Sequence, residues 1–373
     1  MAAIREAFIG IDAAKLRNAV AIADAGRDGE VRYFGEVDAS LESMRRLIGK
    51  LASKYEQLHF CYEAGPTGYG LHRLITELGH PCTVVAPSLI PRKPSDRVKT
   101  NRRDAISLAR LLRAGELTAV WVPDPAHEAM RNLIRSRTAA VETVRVHKQH
   151  VSSFLLRHSR IFPRKKNWGA RYRRWLQQQS FEHPADQIVL QEYVEAVRLA
   201  EERLCRIEHT IAEFLPGWSL APVVEALQAL RGIDLVVAAS FVVEIGDIRR
   251  FENPRKLMGY LGLVPGERST GDTVRRGSIT KMGNPRIRQL LVESAWTYRF
   301  PPRVGVAKLQ KLDRVSPKIR EIAWKAQSRL TARFRAFSAR GMKLTVVCTA
   351  IARELVGFMW AVAMEAYPPS PST

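Results

Sequence analysis

Short apolar runs separated by turn residues open the chain. Residues 7–12 (AFIGID) are an apolar run closed by an acid. Residues 17–24 (RNAVAIAD) and 31–37 (VRYFGEV) read as two further strands, with AGRDGE as the turn between them. Helical spacing follows at 40–53. A second apolar run, Leu58 to Tyr62, ends in Glu63, and AGPTGYGLHRLITELG is a loop entering a helix that Gly79 stops. CTVVAP at 82–87 is a buried strand, 88–103 is irregular and basic, and Asp104 to Leu112 is an amphipathic helix. Three strands followed by alternating helix and strand predict an α/β domain over residues 1–122.

From about 125 to 215 the apolar spacing is long and helical, with few glycines, and is broken by the stretch RHSRIFPRKKNWGARYRRW. This predicts an extended, coiled-coil-like helical hairpin over 123–221 that spaces two domains and mediates assembly. A plain linker with a solvated loop is the alternative. A second, mainly helical domain is expected over 222–366, and PPSPST marks 367–373 as a disordered tail. The most apolar stretch, Val346 to Met364, carries Arg353 and Glu354 near its middle, so it predicts a buried or interfacial helix and no membrane span.

Charge changes the picture. The 373 residues hold 59 Lys/Arg against 37 Asp/Glu, a formal net charge of +22, at an ordinary apolar share of 46%. Such a chain folds, and its excess charge repels itself until an anion neutralises it; DNA or RNA is the leading partner and a membrane surface the weaker one. The excess is concentrated in residues 231–373, which hold 25 Lys/Arg and 11 Asp/Glu. A second concentration is the 157–175 loop, with eight Lys/Arg and no acid, interleaved with Phe162, Trp168, Tyr172 and Trp175. Bases stack on aromatic rings, which makes Arg164, Lys165, Lys166 and Trp168 candidate nucleic-acid contacts. Cys61, Cys82, Cys205 and Cys348 lie far apart with no C-x-x-C pair. That excludes a zinc ribbon, argues against a disulfide framework and fits a reducing cytosol. The N-terminus has no signal-peptide apolar region, and the expected location is the bacterial cytoplasm, at the nucleoid.

Three constellations carry chemistry. The first is acidic: Asp12 ends one strand, Glu63 ends another, and Asp104 opens the helix after the basic stretch, with Asn101 one turn before it. Strand-end carboxylates at one sheet edge hold Mg²⁺ with open water positions, with Mn²⁺ the alternative. Two such ions about 3.5–4 Å apart activate a nucleophile and stabilise a leaving oxygen in phosphodiester chemistry. The order strand-end Asp, strand-end Glu, helix-start Asp points to a ribonuclease-H-like nuclease core. The second is 231–253, RGIDLVVAASFVVEIGDIRRFEN, where Gly232 opens a helix and Gly246-Asp247 closes it. It is either a helix-hairpin-helix, whose glycine turn and helix N-terminus present N–H groups to a phosphate, or an ordinary helical hairpin. The third is the glycine-rich basic loop within 262–296, where Ser269, Thr270, Ser278 and Thr280 lie among Arg268, Arg275, Arg276, Lys281, Arg286 and Arg288. An exposed hydroxyl, flexible neighbours and cations are what a nucleophile attacking phosphorus needs. A phosphate-gripping loop with no covalent role is the alternative, and with no histidine near the loop a Ser-His triad has no support.

Taken in order, FIGIDAAK, CYEAGPTGYGLHR, VKTNRRDAISLARLL with GELTAVWVP, and EIGD…YLGLVPGERSTG…RRGSITKMGN…LLVESAW resemble the DEDD transposases of the insertion-sequence 110 family. The likeness covers nearly the whole chain and is weakest at 125–220. It implies a RuvC-like N-terminal domain with a D-E-D-D tetrad and Mg²⁺, and a C-terminal transposase domain with a catalytic serine. It also implies guidance by a structured bridge RNA that pairs with donor and target DNA. The working form would be a homo-oligomer, a dimer or tetramer, whose acidic and serine domains come from different protomers. Carried onto this chain, the tetrad is Asp12, Glu63, Asn101 and Asp104. Asn101 stands where Asp is common, and the nearby Asp96 is the alternative donor. The serine falls at Ser269, with Thr270 as the other register before Gly271. Lys281, Asn284 and the loop arginines would bind the DNA backbone. The expected function is a recombinase that excises and inserts an insertion sequence. Its rivals are a RuvC-like junction nuclease that hydrolyses with water, and a non-catalytic nucleic-acid-binding protein.

Overall fold

The computed structural model describes residues 5–91, 100–164, 167–270 and 273–367. Asp96, Lys165, Lys166, Gly271 and residues 368–373 of the expected tail lie outside them. The chain divides into two compact units, Met1–Val122 and Pro123–Thr373.

The first unit is built on a five-stranded sheet. Its elements run β1 (Glu6–Asp12), β2 (Arg17–Asp24), β3 (Val31–Asp38), α1 (Leu41–Ala52), β4 (Gln57–Glu63), α2 (Gly70–Glu77), β5 (Cys82–Val85) and α3 (Asn101–Arg113). The strand order is β3-β2-β1-β4-β5. The first three strands meander antiparallel, while β1, β4 and β5 run parallel.

Side-chain alternation gives the two faces of this sheet different characters. Ala7, Ile9 and Ile11 of β1, Val20 and Ile22 of β2, and Leu58, Phe60 and Tyr62 of β4 form one large-residue core with Met44, Leu47, Ile48 and Leu51 of α1. The opposite face of β2 is Ala19, Ala21 and Ala23, packed with Ala105 and Ala109 of α3. Small residues there let α3 lie directly on the sheet. The approach is closest at Gly10, where an added Cβ would stand 2.3 Å from the Ala105 carbonyl oxygen and 2.4 Å from the Ala109 nitrogen. Only glycine fits beneath the helix at this point.

The second unit begins with α4 (Pro125–Arg157), α5 (Ala170–Gln177) and α6 (Pro184–Phe214). Arg137 pairs with Glu208, Lys148 with Glu201 and Phe154 with Tyr193, so α4 and α6 run antiparallel along one another. Met130, Ile134 and Ile211 at the foot of this hairpin belong to the same core as the helices that follow. Those are α7 (Ala221–Leu227), α8 (Leu235–Ile245), α9 (Pro254–Tyr260), α10 (Pro285–Ala295), α11 (Val306–Leu312), α12 (Pro317–Ala339) and α13 (Leu344–Ala366). A two-stranded hairpin, β6 (Pro265–Glu267) and β7 (Arg276–Ile279), stands between α9 and α10.

Among the described residues, α13 alone is long and apolar enough to cross a membrane, with a mean hydropathy of 1.6. Val347, Cys348, Ile351, Leu355, Met359 and Val362 bury it in the core, and Glu354 is held by Arg329 at 3.1 Å. Tyr367, expected to begin the tail, is instead packed under the Arg249 guanidinium, 4.2 Å from its ring centre.

Candidate active site

Register in the first unit brings two carboxylates together. In the parallel pair β1–β4, Ile11 is opposite Tyr62, so Asp12 and Glu63 follow one residue later as neighbours. Adjacent strands are about 4.8 Å apart, and positions at one register share a face. That face is the one bearing Gly10 and Cys61, whose thiol approaches the Leu108 carbonyl at 3.5 Å, so it is the face covered by α3.

The direction of α3 sets the third contributor. Its last residue, Arg113, donates to the Asp24 and Gly29 carbonyls at 2.9 and 2.8 Å, beside the start of β1, where Ala7 is opposite Asp24. The helix therefore runs antiparallel to β1, and its first turn lies toward the Asp12 and Glu63 end. Asn101, Asp104 and Leu108 share one stripe, and Leu108 is buried against the sheet. The structure corrects one boundary: the helix opens at Asn101, three residues before the expected Asp104. The cause is Thr100, whose hydroxyl caps the helix by accepting from the Arg103 amide at 3.3 Å. The first turn directs its positive dipole end toward the acids. Arg102 stands 5.3 Å from the Tyr33 ring centre, and the Tyr33 phenol is pushed up by burial first and then by Glu36, with Asp12 contributing. Asp12 and Asp104 each have partners of their own.

The donor set is all hard oxygen, which suits Mg²⁺ or Mn²⁺. Two of its carboxylates stand at neighbouring strand ends, one residue beyond the Ile11–Tyr62 pair. Among the described residues, however, no group of three or more His, Cys, Asp or Glu side chains converges closely enough to enclose a metal.

The serine loop is a β-hairpin. Glu267 is opposite Arg276, and beyond β6 the backbones of Thr270 and Thr273 exchange hydrogen bonds of 3.2 and 3.1 Å. Ser269 is exposed near the tip, and its hydroxyl donates to Glu267 Oε1 at 2.8 Å. Glu267 Oε2 in turn lies 3.6 Å from Arg276 Nε. The base of the hairpin is fixed by backbone-on-backbone packing. A Cβ on Gly262 would stand 2.3 Å from the Met282 nitrogen, and one on Gly283 2.2 Å from the Tyr260 carbonyl oxygen. Both glycines have positive φ, 65° and 66°, so no other residue serves there.

The cations expected to grip nucleic acid divide into two groups. Arg164, Arg268, Arg275, Arg276 and Lys281 are exposed. Arg288 is spent on the fold, donating to the carbonyls of Leu261 at 3.2 Å, Gly283 at 3.1 Å and Met282. Asn284 caps α10 by accepting from the Arg286 and Ile287 amides at 2.9 and 3.3 Å, and half-buried Arg286 donates to Gln289 at 3.1 Å. The aromatics of the 157–175 loop face one another. Phe162, Trp168 and Trp175 ring the buried Tyr172 at 5.1–5.4 Å, and Lys148 covers Trp168 at 5.1 Å. This packing leaves Phe162, Trp168 and Trp175 half-buried, while Arg164 is exposed.

At 231–253, Gly232 and Gly246 flank α8 as expected, both at positive φ. Asp234 caps α8 by accepting from the Val237 amide at 2.8 Å, so a phosphate would meet a carboxylate there. Lys308 donates to the carbonyls of Gln228, Leu230 and Ile233 in the preceding turn.

Sequence reasoning missed two residues. Thr100 was hidden in a stretch read as irregular. Glu267 is a lone acid in a basic loop, and a period-2 pattern over 265–269 places it beside Ser269.

Comparison with known proteins agrees along the chain. Residues 9–160 match the DEDD transposase model of the IS110 type, and residues 224–304 match the model described as the IS116/IS110/IS902 transposase family. A Sinorhizobium fredii protein named "Putative transposase y4qE" is 67% identical over 362 residues, which is 97% of this chain and 90% of the relative. The "Transposase for insertion sequence element IS1533" of Leptospira borgpetersenii is 29% identical over 91% of this chain and 99% of its own length.

Proposed function

From the premise that the chain belongs to the IS110 family of transposases, enzymes that recombine DNA, we propose that it excises and inserts an insertion sequence through a covalent serine intermediate. Asp12 and Glu63, with Asp104 and Asn101 on the first turn of α3, are the residues that would hold Mg²⁺. When bound, such an ion would stabilise charge on the scissile phosphate. Ser269 attacks that phosphate, and the phosphoserine link keeps the bond energy for rejoining. Arg164, Arg268, Arg275, Arg276 and Lys281 hold the nucleic acid backbone through charge. A bridge RNA that pairs with both DNA partners directs the reaction, and the enzyme works in the cytoplasm as a homo-oligomer.

One observation carries the reading: the pairing of Ile11 with Tyr62, which puts Asp12 and Glu63 at adjacent strand ends on the face that α3 covers. Two carboxylates at neighbouring parallel strand ends, facing a helix whose first turn carries an acid and an amide, support a metal-dependent phosphodiester site over a surface cap.

The test uses purified protein, RNA transcribed from the DNA flanking the gene, and end-labelled duplex spanning the element's termini. The wild type is expected to form an adduct stable to SDS. Ser269→Ala abolishes it, and Asp12→Asn abolishes it while leaving DNA binding intact. Survival in Ser269→Ala but not Thr270→Ala moves the nucleophile to Thr270. Cleavage without any adduct makes the enzyme a hydrolytic nuclease. Sequencing the RNA that copurifies with the protein tests the guide; recovery of no specific RNA removes it.

A further inference from the structure

We infer that Glu267 is the proton acceptor for Ser269, so that the nucleophile and its base are carried by the same β-hairpin. The inference rests on the reading of Ser269 as the attacking residue.

Local geometry carries the argument. Glu267 and Ser269 are two residues apart along an extended strand end, and such residues share one face. The Ser269 hydroxyl uses that placement, donating to Glu267 Oε1 at 2.8 Å. The carboxylate is itself held. Arg276, the cross-strand partner of Glu267, approaches the second oxygen, with Nε 3.6 Å from Oε2. The three side chains form a chain from guanidinium to carboxylate to hydroxyl, with the pairing of β6 and β7 fixing its spacing. This is the arrangement of nucleophile, base and orienting group found where a hydroxyl must be activated, with a carboxylate in place of the absent histidine. Thr270 differs: its backbone is tied to Thr273, and its side chain belongs to the next position along the strand, on the other face.

The step balances. As Ser269 Oγ bonds to phosphorus, its proton passes to Glu267, and the bond from phosphorus to the departing sugar oxygen breaks. That oxygen leaves as an alcohol with one proton drawn from solvent. Rejoining runs in reverse: an incoming sugar hydroxyl attacks the phosphoserine, the bond from phosphorus to Oγ breaks, the hydroxyl's proton goes to solvent, and Glu267, having taken a proton from solvent, gives it to Oγ. A carboxylate that both takes and gives suits a reaction that conserves the number of phosphodiester bonds.

The experiment measures initial rates of adduct formation against pH, using the full chain with the same RNA and duplex as above. Parent, Glu267→Gln, Glu267→Asp and Ser269→Ala are compared. Losing a positioned base slows such a step by about 10²–10⁴-fold. Glu267→Gln, which keeps the hydrogen-bond acceptor but cannot take the proton, is therefore expected to slow adduct formation about 100-fold or more. It should also change the acid limb of the rate profile, leaving the part set by the proposed metal carboxylates Asp12, Glu63 and Asp104, while gel-shift affinity stays unchanged. Glu267→Asp is expected to recover part of the rate and the acid limb. A merely structural role would lower the rate without changing the shape of that limb. A Glu267→Gln rate within about threefold of the parent, with the same pH profile, overturns the inference while leaving the serine in place. An adduct that persists in Ser269→Ala, or a parent that forms none, overturns the nucleophile and Glu267 with it.

Discussion

The contact at Gly10 supports the sharpest quantitative prediction. Replacing Gly10 with alanine puts a methyl group 2.3 Å from the Ala105 carbonyl oxygen, 2.4 Å from the Ala109 nitrogen and 2.9 Å from the Leu108 Cβ. Each partner is helix backbone or the root of a side chain, and Gly10 lies in the central strand, so neither element gives way easily. Restoring ordinary contact requires α3 to rise by about 1 Å, and overpacking of this kind costs about 3 kcal/mol, the upper part of its usual range. In a unit of this size that lowers the melting temperature by roughly 10 °C. The displacement also carries Asp104 and Asn101 away from Asp12 and Glu63, and about 1 Å of misplacement is expected to reduce cleavage about 100-fold. Hydrogen exchange read on β1 and α3 peptides of the full chain follows the first unit separately, and adduct formation reads the chemistry. Gly49→Ala is the control, because Gly49 sits within α1 with nothing near its Cβ position. It should stabilise the same unit by about 0.5–1 kcal/mol. A Gly10→Ala protein with undiminished protection of α3 and undiminished cleavage would refute the close seating of α3 on β1.

Two further predictions probe how each unit is held. Asp24 accepts from Arg32 at 2.7 Å and from Tyr55 at 2.8 Å; burial alone would raise its carboxyl, but these bonds and the charges of Arg32 and Arg113 hold it below its ordinary value. Its stabilising contribution is therefore complete above the ordinary carboxylate range and is lost as pH falls through the lowered value. Urea melts should show Asp24→Asn weaker by about 1 kcal/mol at neutral pH, with the gap closing in acid. Lys308→Met removes the Lys308 ammonium from the Gln228, Leu230 and Ile233 carbonyls and should cost about 2–3 kcal/mol in the second unit, measured by the same melts.

The legible parts of the chain were those where one period dominates. The strands ending at Asp12, Asp24 and Glu63 matched their apolar runs because each is buried on at least one face and bounded by turn residues. Periodicity could not say that β1 lies between β2 and β4, yet that adjacency is what pairs Asp12 with Glu63. The serine hairpin was read as a loop because β6 and β7 are only three and four residues long and largely exposed, leaving no hydrophobic alternation to detect. Its shape comes from glycines that allow backbone to lie on backbone. The aromatic loop shows a second effect of spacing. Trp168, Tyr172 and Trp175 recur at helical spacing, and that spacing builds a small core around Tyr172 while leaving the two tryptophans half-buried.

The proposed acid and serine parts of the chemistry lie in different compact units, and this makes them separable by mutation. Asp12→Ala removes a carboxylate from the edge of β1 and leaves the β6–β7 hairpin untouched. Ser269→Ala does the converse. If the acids and the serine of one active site come from the same protomer, mixing the two inactive variants produces no competent site in any combination. If they come from different protomers, as the family likeness implies, a mixed pair joins the intact acids of one variant to the intact serine of the other. In random pairing at equal concentration half the dimers are mixed, and each holds one intact site of two, so activity should return to about one quarter of the parent. Adduct formation after co-refolding or co-expression measures this directly. Full inactivity of the mixture, with mixed oligomers demonstrated by differential tagging, would place both halves of the site on one chain and exclude the composite arrangement.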